Sequence, residues 1–232
     1  MTFDLQTLVR PNIAALTPYS SARDEFSGTA QVYLDANENS LGSPLKKWFH
    51  RYPDPQQKAV KEKLGAIKSV DPSNLLLGNG SDECIDILYR CFCEPGKDNV
   101  VICPPTYGMY EVSADINNIE IRKAMLLDDF QLNLAHIEQL VDANTKIIWL
   151  CSPNNPTGNS LLRGDIEYVL NNFNGLVVVD EAYINFSKQK SWIQDLQDYP
   201  NLVILQTMSK AWGLAGLRLG ITIASKEIIS IM

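Results

Sequence analysis

From about residue 56 onward, apolar positions in this chain alternate between short continuous runs and stretches at helical spacing. Pro44, Pro53 and Pro55 break the chain first, and residues 56–67 then read as a helix. A short apolar run follows at 75–77, and residues 82–92 are amphipathic, with Cys84, Ile85 and Leu88 on one face. The same rhythm predicts a strand at 100–103, a helix at 107–116, a strand at 120–125, a helix at 134–141, a buried strand at 146–150 and a helix at 165–173. Residues 176–179 and 202–205 are apolar throughout, as in parallel strands covered on both faces. A last strand is expected at 218–224, leading into an apolar helix that breaks off at Ile228-Ile229-Ser230-Ile231-Met232 without a stop signal. The first forty or so residues show little periodicity. Pro11, Pro18 and Ser20-Ser21-Ala22-Arg23 read as an extended arm, with a strand expected at 31–35.

Strands alternating with helices predict an α/β fold, a mostly parallel sheet with helices on both faces. In such sheets ligands bind beyond the carboxyl ends of the strands. Composition narrows the field further. With 232 residues and 45% hydrophobic side chains, a substantial core is available and disorder is excluded. Acids outnumber bases 27 to 20, a net charge of -7, which argues against a general nucleic-acid binder. No apolar run approaches the roughly 20 residues of a membrane span, and the first residues lack a signal-peptide stretch. The five cysteines include no C-x-x-C pair and are accompanied by only two histidines, so buried free thiols in a reducing cytoplasm are expected and zinc is not.

Five strand ends in succession carry candidate chemistry. After the run at 75–77, Gly78-Asn79-Gly80-Ser81-Asp82 opens a helix whose free N–H groups suit an anion, phosphate above all; the plain alternative is an ordinary turn with a Ser cap. Tyr107, after the second strand, is placed to stack on a flat ligand or to pack in the core. Asn154-Asn155-Pro156-Thr157-Gly158 is a rigid turn carrying amides, or a plain loop. Asp180-Glu181-Ala182-Tyr183 follows an apolar strand, like the magnesium-binding strand of P-loop nucleotidases, but the G-x-x-x-x-G-K-[ST] loop that reading requires is absent. Lys210, in Thr207-Met208-Ser209-Lys210, lies past the end of a buried strand, where a lysine is a Schiff-base candidate. An anion cradle, an aromatic, an amide, an acid with a tyrosine, and a lysine are together what a flat aromatic aldehyde with a phosphate tail needs. Pyridoxal 5′-phosphate is such a cofactor.

With these motifs the chain resembles the fold-type I pyridoxal-phosphate aminotransferases over nearly its whole length. The string Ser209-Lys210-Ala211-Trp212-Gly213-Leu214-Ala215-Gly216-Leu217-Arg218 is the most specific part. Arg51-Tyr52-Pro53-Asp54 and the arm around Tyr19 favour the histidinol-phosphate branch. The resemblance implies that Lys210 holds the cofactor and moves the proton, that Asp180 pairs with the pyridinium nitrogen, and that Tyr183 and Asn155 bond the ring's phenolic oxygen. It further implies that Tyr107 stacks on the ring, and that Ser81, Asp82, Thr207, Ser209 and Arg218 cradle the phosphate. Tyr52 is expected to reach the site of a partner subunit in a homodimer, with Tyr19 and Asn37 near the substrate. The activity implied is transfer of the amino group of L-histidinol phosphate to 2-oxoglutarate. An aromatic amino-acid aminotransferase, a threonine-phosphate decarboxylase and a non-catalytic cofactor-binding fragment remain alternatives. Residues 1–42 read as arm and small-domain segment and 43–232 as the cofactor domain, with a C-terminal part of about 100 residues expected beyond. That part supplies the family's substrate-binding arginines. Asn39-Ser40-Leu41-Gly42 departs from the Asn-Pro-Tyr-Gly of many relatives.

Overall fold

The structure is a computed structural model that describes residues 3–19, 28, 31–45 and 47–232. A short helix α1 (Pro11–Ala14) precedes α2 (Lys58–Lys68), β1 (Leu75–Asn79) and α3 (Ser81–Phe92). Then follow β2 (Asn99–Ile102), α4 (Met109–Ile116), β3 (Glu120–Lys123), α5 (Leu134–Leu140) and β4 (Thr145–Cys151). The chain continues through α6 (Arg163–Asn172), β5 (Leu176–Asp180), β6 (Leu202–Thr207), β7 (Leu219–Ala224) and α7 (Lys226–Ile231).

The strands form one seven-stranded sheet in the order β1-β7-β6-β5-β4-β2-β3. Pairs β2–β3, β2–β4, β4–β5 and β5–β6 are parallel, whereas β7 is antiparallel to both β1 and β6. The expected mostly parallel sheet is therefore present, with β7 alone reversed. That reversal matters for the site, because the start of β7 lies at the same edge of the sheet as the carboxyl ends of its neighbours.

Alternation along the strands builds two cores. Val100, Ile102, Ile147, Trp149, Leu176, Val178, Val203 and Leu205 face the side covered by α3, α4 and α7. Val101, Ile148, Leu150, Val177, Val179, Leu202 and Ile204 face α2, α5 and α6. Each central strand is buried on both faces, which is why its sequence reads as an unbroken apolar run. All five cysteines are buried and free.

Three sequence expectations fail. The chain at Pro11, expected in an extended arm, forms the helix α1, because a proline is well suited to the first turn of a helix. Residues 31–35 form no strand: Val32 and Leu34 are 71% and 89% exposed, so their alternation meets no apolar surface to cover. Arg218 does not begin the last strand either. It sits just before β7 in the left-handed region, with φ 52°, closing a 3₁₀ turn at Ala215–Leu217. The Ser20–Arg23 part of the expected arm lies outside the described residues.

Candidate active site

The site is assembled at the carboxyl edge of the sheet. At the end of β1, Gly80 precedes α3 with φ +80°, a conformation that favours glycine. Gly80 is itself the N-cap and no side chain caps the helix, so the expected Ser cap is absent: Ser81 is the first helical residue. The first-turn amides of a twelve-residue helix are thus left for another acceptor.

This turn is clamped from behind by β7. The Gly80 N–H donates to the Arg218 carbonyl at 2.6 Å. A Cβ on Gly220 would lie 2.2–2.3 Å from the backbone of Gly80 and Ser81, and one on Gly80 would lie 2.5 Å from the Arg218 guanidinium. Glycine is required at Gly220, where two backbones converge, and favoured at Gly80 by its positive φ. Arg218 Nη2 lies 3.7 Å from Asp82 Oδ2. The Asp82 carboxylate also accepts from the Tyr107 hydroxyl at 3.0 Å, so its charge faces a phenol and a guanidinium. Burial and this carboxylate push the Tyr107 phenol well up from its ordinary value.

At the end of β6, the buried Thr207 hydroxyl oxygen lies within hydrogen-bonding distance of the Leu219 carbonyl at 3.3 Å and of Ser209 Oγ at 3.0 Å. Its oxygen also accepts from the Ser209 N–H at 3.1 Å, which fixes Ser209 at the edge. Lys210 follows, exposed, with Nζ 5.3 Å from the centroid of the Tyr183 ring. Asn155 and Tyr183 both line a cleft of about 470 Å³ together with Asn154, Phe186, Ser187 and Lys188.

Asp180 ends β5 and is only 3% exposed. By strand alternation it lies on the side of Val178, against α4, whereas Glu181 belongs to the opposite side. Its Oδ2 accepts from the Tyr110 hydroxyl at 2.6 Å and its Oδ1 from the Ala182 N–H at 3.0 Å. Burial pushes the Asp180 acid upward, and these two donors together with Lys210 oppose that shift. Glu181 is likewise raised by burial, and it accepts from Ser191, the Trp192 N–H and Gln206.

Contacts thus join Tyr107, Asp82 and Arg218 in one group and Thr207 with Ser209 in another, Lys210 lies over the Tyr183 ring, and Tyr183 shares a cleft with Asn155. Tyr52, Tyr19 and Asn37 stand apart. Tyr52 and Tyr19 are 69% and 91% exposed, and Asn37, also exposed, has φ 52°. Sequence reasoning gave no role of their own to Tyr110 or to Asn154, which it noted only as part of an amide-carrying turn. Asn154 fastens the loops after β2 and β4, accepting from Thr106 Oγ1 and donating to the Pro105 carbonyl. Tyr110 lies in the first turn of α4, and its sequence neighbourhood carries no signal that separates it from a core tyrosine.

A reversed β7 beside β1, an uncapped helix start, a buried acid at one strand end and a lysine past the next together mark one edge of an α/β domain of the kind found in cofactor-binding folds. Residues 27–232 match the family described as aminotransferase class I and II, and the chain belongs to that family. A histidinol-phosphate aminotransferase of Christiangramia forsetii is 58% identical over 99% of this chain and 65% of its own length. The chain therefore spans about two thirds of the length of such relatives. Among solved structures, histidinol-phosphate aminotransferase from Sinorhizobium meliloti in complex with pyridoxal-5′-phosphate is 25% identical, with a TM-score of 0.71 over 78% of this chain and 50% of that one. The L-threonine-O-3-phosphate decarboxylase of Porphyromonas gingivalis is 26% identical, with a TM-score of 0.65 over 78% of this chain and 53% of that one.

Proposed function

We propose that the protein is a pyridoxal-phosphate-dependent aminotransferase that moves the amino group of L-histidinol phosphate to 2-oxoglutarate. The observation that carries this reading is the 58% identity, along nearly the whole chain, to an enzyme named for that reaction. The donor set also fits the cofactor. An anion has uncapped amides and a guanidinium to sit against, and a cationic ring nitrogen has a buried carboxylate. When bound, pyridoxal 5′-phosphate supplies an aldehyde that captures amines and a ring that withdraws electrons from the adjoining carbon.

The protein's own groups then divide the work. The amides of Ser81 and Asp82, the Ser209 hydroxyl held by Thr207, and Arg218 bind the phosphate. Tyr107 covers one face of the ring. Asp180 keeps a proton on the ring nitrogen, and Tyr183 and Asn155 hydrogen-bond the phenolic oxygen. Lys210 anchors the aldehyde carbon and, once released, carries a proton to and from the substrate's α-carbon. Residues 43–232 form the cofactor domain and residues 1–42 an arm and small-domain segment. In a homodimer Tyr52 reaches the partner's phosphate site, and Tyr19 and Asn37 lie near the substrate.

The test uses the whole protein. Added pyridoxal phosphate is expected to give an absorption band near the visible edge that Lys210→Ala lacks. Glutamate is expected to form only with both L-histidinol phosphate and 2-oxoglutarate present. No band, or an equal band in the variant, ends the reading. The decarboxylase similarity is addressed by O-phospho-L-threonine, which must release no carbon dioxide.

A further inference from the structure

Tyr110 is wholly buried beneath the site and has none of the roles assigned above. Its ring is fixed on several sides. It stacks on Trp149, with centroids 4.9 Å apart and planes at 17°, and meets Tyr107 edge-on at 5.6 Å and 85°. Its backbone carbonyl accepts from the Tyr89 hydroxyl at 2.9 Å, and the Tyr89 ring in turn packs 5.3 Å from Trp149. An aromatic held in this way has no alternative rotamer to occupy, so its hydroxyl points in one direction. That direction is Asp180 Oδ2, 2.6 Å away.

We propose that Tyr110 is a positioning residue that holds Asp180 ionised and correctly turned toward the cofactor's ring nitrogen. The inference rests on the proposed pairing of Asp180 with that nitrogen. A carboxylate inside an apolar core favours its neutral form, and a neutral acid does not keep a proton on a pyridine. Hydrogen bonds given to the charged form oppose this, and Asp180 receives two, from Tyr110 and from the Ala182 amide. Tyr110 is a lasting donor. Burial and the neighbouring carboxylate drive its phenol well above the ordinary range, so it does not surrender its own proton at working pH. The same residue touches Tyr107, the proposed stacking ring, so one clamped side chain sets both the partner of the ring nitrogen and the surface under the ring.

Tyr110→Phe keeps the stacked ring and removes only the donor. The discriminating measurement is the 15N resonance of the ring nitrogen in protein loaded with labelled pyridoxal phosphate. Wild type is expected to show a protonated nitrogen and Asp180→Asn a neutral one. Tyr110→Phe should move the signal toward neutral, weaken cofactor binding by about tenfold, the cost expected of one charge-assisted hydrogen bond, and lower kcat more than it changes KM. If Asp180→Asn leaves the resonance where wild type has it, the pairing of Asp180 fails and takes this inference with it. If Asp180→Asn shifts it and a folded Tyr110→Phe does not, the role of Tyr110 alone is overturned, even should activity fall. Where Tyr110→Phe does not fold, 4-aminophenylalanine at position 110 serves instead. Its amino group fills the place of the hydroxyl but is a much weaker donor, so the signal should move toward neutral, and an unchanged signal overturns the proposal.

Discussion

Asp180 is a carboxylate placed where a charge is unfavourable, and its neighbour Glu181 shares that condition on the other side of the sheet. Burial raises both acids. A raised acid in the folded state contributes stability that is complete below the ordinary carboxylate range and is lost as pH rises through the elevated value. Asp71 and Asp142 are held below their ordinary values and pull the other way, but both are exposed, so their effect is small. The cofactor-free protein is therefore expected to lose stability as pH rises from about 4 toward neutrality. Urea titrations across that range should show the slope, Asp180→Asn should flatten it, and bound cofactor should flatten it in the wild type by giving the carboxylate a cation. A slope unchanged in the Asn variant would assign the effect elsewhere.

At the scale of elements, the loop after β5 is pinned by Glu181. Its carboxylate accepts from Ser191 Oγ at 2.6 Å, from the Trp192 N–H at 2.8 Å and from Gln206 Nε2 at 2.8 Å, joining three segments. Glu181→Ala would leave the Trp192 amide and the Gln206 side chain buried without an acceptor, at a cost of about 2–3 kcal/mol in chemical denaturation. Because these contacts lie on the face opposite Asp180, cofactor affinity should change far less than stability; equal losses in both would contradict this separation. Most elements were legible in sequence because the central strands are buried on both faces and the helices are buried on one, so each carries its own period. The strand expected at 31–35 was misread because alternation records a pattern of side chains and not the presence of a surface to cover. Arg218 was placed in a strand because apolar neighbours hide a left-handed residue. The site's members were legible as strand ends, since the edge of a parallel sheet brings such ends together whatever their separation along the chain. Tyr110 was not, because a tyrosine among apolar residues reads the same whether it packs or points.

On the scale of the whole molecule, the segment around residues 34–52 is unusual. Leu34, Leu41, Leu45, Trp48, Phe49 and Tyr52 are 62–96% exposed. So much large apolar surface on one stretch fits the proposed homodimer. Sedimentation of the whole protein at decreasing concentration is expected to show a dimer, weakened when Trp48 and Phe49 are replaced by Ser; a monomer at all concentrations would contradict it. Among the described residues, no helix is long and apolar enough to cross a membrane. The reversed β7 has a consequence of another kind, in the order of biosynthesis. The ribosome makes β1 and its helix early, yet their neighbour in the sheet is the last of the seven strands in chain order. Until residue 224 has emerged, the turn at Gly80 has neither Gly220 behind it nor Arg218 beside it, and the β1 edge of the nascent sheet stays unpaired. The turn at Gly80 thus stays unfinished until the seventh strand has been made, however long the chain that follows.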